Sequence, residues 1–362
     1  MAIIGRRAWR LCGMAAVITM LVLWRTRSYE PPARAVSTAP TTRYTEPLAA
    51  LTATPRVPSA CFLFITRTMS LTKVRRTMFD IEQRFNSRYH YPYVFLSERQ
   101  FSDEFQLNVR NIASSPVTFA LINNWSAPRN DNSTHAGSNS KALGFRNMVR
   151  YWAHPFATHP ALATYTRVWR LEPGAHFPCD FTADPFRRMH KHKLQYAFAI
   201  SLASPAPTVW PHALDFLRHS SHLLHASNSM AWLFPSTSNS TVCQFLTNSE
   251  LVDLRFIRSP AYTALFELID RKLPFHHSQW SNDDDVTVRS LAVALLLDAS
   301  QVAWLNDSAY THDLLSNCPA DPELQKRCHC DPSESSHLLP MSCSARWTTA
   351  PRSLHIDPLD LL

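Results

Sequence analysis

Residues 61–66 form an unbroken apolar run, which predicts a strand buried on both faces. After Ser70, a good helix cap, the apolar residues Leu71, Val74, Met78, Ile81 and Phe85 recur at spacings of 3, 4, 3 and 4. That is a single stripe along a helix of about four turns. Residues 93–96 predict a second strand, so the segment reads as a right-handed βαβ unit. The alternation continues with strands at 165–171 and 196–202 and helices at 210–224, 260–271 and 286–297. Pro260 suits a helical first turn, and residues 302–305 predict a short final strand. Residues 126–141, rich in Ser, Asn and Asp, predict a surface loop. There is no internal repeat. The pattern predicts one α/β domain from about residue 60 to 315 with a cysteine-rich tail packed on it.

The apolar pattern ahead of this body is different. Residues 11–24 are uncharged and apolar, flanked by arginines, but number 14 where a standard span needs ~20. A cleaved signal peptide and a short signal anchor both fit. No A-x-A site follows, and Arg25 and Arg27 occupy the position of cleavage, which favours the anchor with a cytosolic N-terminus. Residues 28–58 carry six prolines among Ser, Thr and Ala and predict an extended stem. The expected layout is a type II membrane protein: tail and anchor 1–27, stem 28–58, lumenal body 59–347 and a C-terminal extension 348–362.

Charge and cysteine usage refine this. Six arginines and one acid in residues 1–35 supply five of the eight net positive charges, so the body is near balance. With no basic stripe carrying interleaved aromatics, no nucleic-acid partner is expected. The whole chain has only five glycines and neither a GxGxxG nor a Walker loop. Phosphate would have to be held by side chains, a metal or a helix N-terminus. No G-x-S-x-G or H-E-x-x-H motif supports a hydrolase. Seven cysteines lie beyond the anchor, four of them in 318–343, which predicts a disulfide-stapled tail (318–347) and at least one thiol free or paired between chains. Zinc at Cys328 and Cys330 is the rival, although one intervening residue is fewer than the usual ligand gap. Sequons at Asn124, Asn132, Asn239 and Asn306 fit a lumenal body.

The chemistry concentrates at Trp169-Arg170-Leu171-Glu172-Pro173-Gly174. Pro173 cannot extend a strand ladder, so Glu172 should stand at a strand exit, where open α/β sheets bind ligands. A carboxylate there suits a hard divalent cation; a strand-capping pair with Arg170 is the alternative.

Several motifs in order resemble the fungal α-1,2-mannosyltransferases of glycosyltransferase family 15. They are Phe64-Ile65-Thr66-Arg67, Asp80-Ile81-Glu82-Gln83-Arg84-Phe85-Asn86, the 169–180 segment with Asp184-Pro185-Phe186, Trp280 with Asp285, Tyr310-Thr311-His312 before Cys318-Pro319, and Cys328-His329-Cys330-Asp331-Pro332 with Cys343. The resemblance covers residues 60–347. It implies a GT-A-like single-domain fold with a mixed central sheet. It also implies Mn²⁺ as cofactor, GDP-mannose as donor, a mannosylated glycoprotein as acceptor and a Golgi membrane location, with the endoplasmic reticulum as alternative. By the same resemblance Glu172 and His312 are metal ligands, and Glu250 is the sugar-side carboxylate of a retaining transfer. Asp285 is a candidate base, and Arg67 and Arg150 hold phosphate. Read alone, Glu250 would pair with Arg255 or Arg258, and 282–285 would be a solvated helix cap. The chain departs from the family in five places: Phe145 stands where a substrate-side tyrosine is expected, Val149 replaces a cysteine, Trp152-Ala153-His154 replaces an Asn-Ser-Gly-like turn, the segment between Trp280 and Asp285 is about three residues longer, and Gly174 stands where an acid is common. These departures leave a second expectation open, a weakened or non-catalytic glycan-binding scaffold on the same fold.

Overall fold

The computed structural model describes residues 57, 59–123, 140–205, 210–233, 241–272 and 284–349. The anchor, almost all of the stem, the C-terminal extension, Trp280 and the sequons at Asn124, Asn132 and Asn239 lie outside them, as does nearly all of 126–141. Among the described residues no helix is long and apolar enough to cross a membrane. Asn306 sits exposed in a turn.

The strands are β1 (Ala60–Ile65), β2 (Tyr93–Ser97), β3 (Val117–Leu121), β4 (Arg167–Leu171), β5 (Tyr196–Phe198), β6 (Ser201–Pro205), β7 (Thr241–Phe245), β8 (Ser249–Asp253), β9 (Val302–Trp304), β10 (Tyr310–His312) and β11 (Leu315–Asn317). A seven-stranded sheet runs β3-β2-β1-β4-β8-β5-β9. Its pairs are parallel except where β8 lies between β4 and β5, so the sheet is mixed as expected. All six residues of β1 are buried, and the helix Leu71–Ile81 turns Val74, Met78 and Ile81 inward. Ser70 precedes that helix, but its side chain makes no capping bond. The helical path runs on through a π-helical stretch, Glu82–Asn86, that buries Phe85.

Period-two alternation divides the core between the two faces of the sheet. Phe62, Trp169 and Leu251 belong to one cluster; Leu63, Phe198 and Val252 belong to the other, against the helices Pro260–Lys272 and Asp284–Leu296. One cross-strand row on this second face is Leu63, Arg170, Glu250 and Phe198. It places a guanidinium and a carboxyl group at the centre of a buried sheet.

The structure corrects three element expectations. Residues 196–202 are not one strand: pairing breaks after Phe198, and β6 leaves to join β7 in a separate ribbon. The helix at 210 ends at His219, followed by a short 3₁₀ turn. β9 is not the last strand, because the β10–β11 hairpin follows. The expected tail after 315 carries a short helix at Ser344–Thr349.

The tail is stapled by disulfides: Cys179–Cys328, Cys318–Cys330 and Cys243–Cys343. Cys328 and Cys330 are each committed to a different bridge, so neither is a thiolate for zinc. Among the described cysteines Cys61 is free and buried. Two bridges link the segment after Glu172 to the segment after His312 through the tail, which cross-links the two strands of chemistry described next.

Candidate active site

β4 ends at Leu171, and Glu172 donates its backbone N–H to the Asn248 carbonyl at 3.0 Å before Pro173 ends the pairing. Gly174 then adopts φ 102°, a left-handed conformation that glycine takes without strain. This turn lets His176 exchange backbone hydrogen bonds with Thr311 at 2.8 and 2.9 Å. The neighbouring residue on β10 is His312. Asp80 anchors the same loop, its carboxylate 2.8 Å from His176 Nδ1.

The outcome is that Glu172 Oε2 and His312 Nε2, 140 positions apart, lie 4.0 Å from each other. On the far side of the ring, His312 Nδ1 faces the Asp313 carboxylate at 3.5 Å and the Asn248 amide at 3.4 Å. These contacts fix the ring by its Nδ1 side and turn Nε2 toward Glu172. Both residues line a cavity of about 790 Å³ together with Arg67, Trp152, Arg170 and Asp285.

Behind the cavity wall lies a buried ion array. Arg170, 2% exposed, donates from Nη1 to Asp285 Oδ2 at 2.8 Å and from Nη2 to Glu172 Oε1 at 3.1 Å. The capping pair weighed from sequence is therefore present, and it leaves the second Glu172 oxygen toward His312. Glu250, fully buried, accepts from Arg289 Nε at 3.0 Å and lies 3.6 Å from Arg170 Nη1. Its partners are thus Arg289 and Arg170, not Arg255 or Arg258; those bond Asp253 and the backbone of 157–165. The helix Asp284–Leu296 supplies Asp285 and Arg289 four residues apart, on one helical face over β4 and β8. Asp285 is 5% exposed rather than a solvated cap, and its Oδ2 also accepts from Thr247 at 3.0 Å. Burial works against the Arg289 charge, but Glu250 foremost holds its pKa above the ordinary value. Within this array Glu172 and Asp285 are the carboxylates that also line the cavity, where a divalent cation could be met.

Two further sequence expectations meet the structure differently. Arg67 lines the cavity, half-exposed and 2.8 Å from Glu98. Arg150 is not among the cavity-lining residues: its Nε and Nη2 form a bidentate pair with Asp270, both at 2.6 Å, which saturates the fork meant for phosphate. Phe145 falls within the helix Ser140–Ala153, but its side chain lies outside the described residues. Sequence reasoning missed Arg289, Trp152 and Lys73, the last two lining the cavity. The Arg170–Asp285 pair went unseen because its partners lie 115 residues apart.

His154 follows that helix, stacked on Phe266 with centroids 4.8 Å apart and on Tyr262 at 5.8 Å. Burial first, then the Arg289 and Arg150 charges, push its pKa from 6.5 down to about 4. The unfolded chain then binds the extra proton between those values, so stability falls with pH across that window and is lost in full below it. His154→Phe keeps the ring stack and is expected to remove an acid loss on the order of 3 kcal/mol. Urea unfolding at pH 7 and pH 4.5 checks this; an acid loss as large in the Phe protein would assign it to other groups.

Comparison with known proteins agrees with the fold. The sequence profile of the family "Glycolipid 2-alpha-mannosyltransferase" matches residues 35–351. "O-glycoside alpha-1,2-mannosyltransferase homolog 3" of Schizosaccharomyces pombe is 32% identical over 290 residues, 74% of this chain and 76% of that protein. "Alpha-1,2 mannosyltransferase KTR1" of Saccharomyces cerevisiae is 30% identical over 307 residues, 80% of this chain and 77% of that protein. Among solved structures, the Mn/GDP form of core-mannan synthase A (CmsA/Ktr4) from Aspergillus fumigatus superposes with a TM-score of 0.73 at 27% identity, covering 82% of this chain and 86% of that one. The S. cerevisiae mannosyltransferase Ktr4p in complex with GDP gives 0.73 at 28% identity, covering 84% of each. The chain belongs to the glycolipid 2-alpha-mannosyltransferase family, glycosyltransferase family 15, and is a glycosyltransferase with that family's mixed α/β fold.

Proposed function

We propose that this chain transfers mannose from GDP-mannose to the 2-hydroxyl of a terminal mannose on a glycoprotein glycan, with retention at the anomeric carbon. The observation that carries the reading is the approach of Glu172 Oε2 and His312 Nε2 to 4.0 Å in the wall of the cavity. Ligand bonds of ~2.0–2.3 Å to both atoms span that gap, and one carboxylate with one neutral imidazole is a donor set suited to Mn²⁺. When bound, the cation would neutralise charge building on the leaving nucleotide diphosphate.

The remaining work falls to the protein's own side chains. Arg67 is the cavity-lining guanidinium available to diphosphate oxygens, in exchange for Glu98. Asp285, oriented by Arg170 and Thr247, is the cavity-lining carboxylate in place to accept a proton from the acceptor hydroxyl. Glu250 is fully buried and is not among the cavity-lining residues, so it acts by holding Arg170 and Arg289 rather than by touching the sugar. The disulfide-linked tail supports a lumenal body in an oxidising compartment. With residues 1–27 as anchor and 28–58 as stem, this reading places the enzyme in the Golgi membrane or, given the short anchor, an earlier one.

The test is turnover of the full chain with a series of nucleotide sugars, mannose-terminated acceptors and Mn²⁺, the product linkage being read by NMR. Selective use of GDP-mannose with an α-1,2 product is expected. Glycan binding without turnover under every donor would instead assign the chain to the scaffold reading.

A further inference from the structure

Trp152 ends the helix Ser140–Ala153 and lines the cavity while only 3% exposed. The active-site arginine sits over its indole: Arg170 Cζ is 3.6 Å from the ring centroid. Its backbone carbonyl accepts from Arg289 Nη2 at 3.1 Å. One residue thus touches both guanidiniums of the buried array.

The consequence lies in how Arg170 shares its donors. Its in-plane N–H groups reach Asp285 and Glu172 on separate carboxylates, one bond to each, while Nε has no hydrogen-bond partner. A guanidinium free to tilt prefers the bidentate grip, two parallel bonds to one carboxylate. On Glu172 that grip would engage Oε1 and Oε2 together and withdraw from His312 the oxygen now 4.0 Å away. The indole face fixes the guanidinium plane and so maintains the one-bond arrangement.

We propose that Trp152 is a positioning residue for the metal-binding carboxylate: by stacking on Arg170 it keeps Glu172 Oε2 available to a divalent cation. This rests on the reading of Glu172 and His312 as metal ligands. The position carries this role in this chain because an aromatic residue stands where the family resemblance places a small polar turn.

The test compares Trp152→Leu, which retains apolar volume without a π face, with Trp152→Phe, which restores one. Mn²⁺ binding to the full chain in the presence of GDP is followed by the EPR signal of the free ion, so no turnover is needed. Trp152→Leu is expected to weaken Mn²⁺ binding about tenfold, the scale on which a ligand's supporting contact acts, with Trp152→Phe within about twofold of the parent. In turnover, the Leu protein should need more Mn²⁺ for half-maximal rate but recover kcat to within about threefold at saturation. Trp152→Met replaces the Leu protein if that one fails to fold. Equal Mn²⁺ affinities in the Phe and non-aromatic proteins overturn the proposal while leaving the metal reading intact. Mn²⁺ binding that survives Glu172→Ala overturns the metal reading, and this inference with it.

Discussion

Glu172→Ala lowers kcat/KM for mannosyl transfer by at least about 10³-fold while leaving the thermal midpoint nearly unchanged. The carboxylate is one of two protein ligands offered to the metal, and a divalent cation at a leaving diphosphate is worth several kcal/mol, of which about 4 corresponds to that factor. The fold loses little because the Glu172 side chain is 37% exposed and Arg170 retains Asp285 at 2.8 Å. His312→Ala removes the other ligand and should give a loss of similar size, from a side chain only 14% exposed and hence with a larger cost to the hairpin that carries it. Initial rates over a Mn²⁺ series, paired with thermal melts, separate the two effects. A Glu172→Ala protein that stays within tenfold of the parent at every Mn²⁺ concentration would mean that these two side chains do not hold the catalytic cation.

The parts of this site that sequence alone made visible are those whose physics is local. An apolar run stopped by a carboxylate and a proline marks a strand exit wherever it occurs, and β4 ends one residue before Glu172. The stripe from Val74 to Ile81 needs only helical periodicity, and it is buried as that periodicity requires. β8 was invisible for the opposite reason. Ser-Glu-Leu-Val-Asp has two acids in five residues and reads as exposed, yet Trp169 Nε1 bonds Ser249 at 3.1 Å, Arg289 meets Glu250, and Arg167 and Arg255 meet Asp253. Charged residues can line a buried strand when the compensating charges arrive from elements 39 or 86 positions away. Arg150 shows the converse: a motif position says which residue is basic, but only the packing of the helix Pro260–Lys272 shows that Asp270 has already claimed it. The β10–β11 hairpin was missed because three-residue strands carry too little pattern to register.

The same buried array makes Arg289→Met the substitution with the largest expected cost to stability, about 3–5 kcal/mol. Arg289 and Glu250 are both fully buried, and Arg289 also donates to the Tyr262 hydroxyl at 2.7 Å and to the Trp152 carbonyl at 3.1 Å. Removing the guanidinium leaves the Glu250 carboxyl group buried with Arg170 at 3.6 Å as its nearest cation, and losing one partner of a buried pair is what makes such a change costly. Removing both charges avoids that cost, since a buried pair replaced by apolar groups of similar volume is often neutral. Arg289→Met combined with Glu250→Leu should therefore regain most of the lost stability, with a coupling energy of at least about 2 kcal/mol. Activity should not return with it, because Arg170 would then lack the carboxylate behind it and the Glu172 and Asp285 bonds would lose their common support. Urea unfolding of the parent, both single variants and the double variant closes the cycle. Additive costs would show that Arg289 stabilises the fold through Tyr262 and Trp152 alone, and full activity in the double variant would remove Glu250 from any part in transfer.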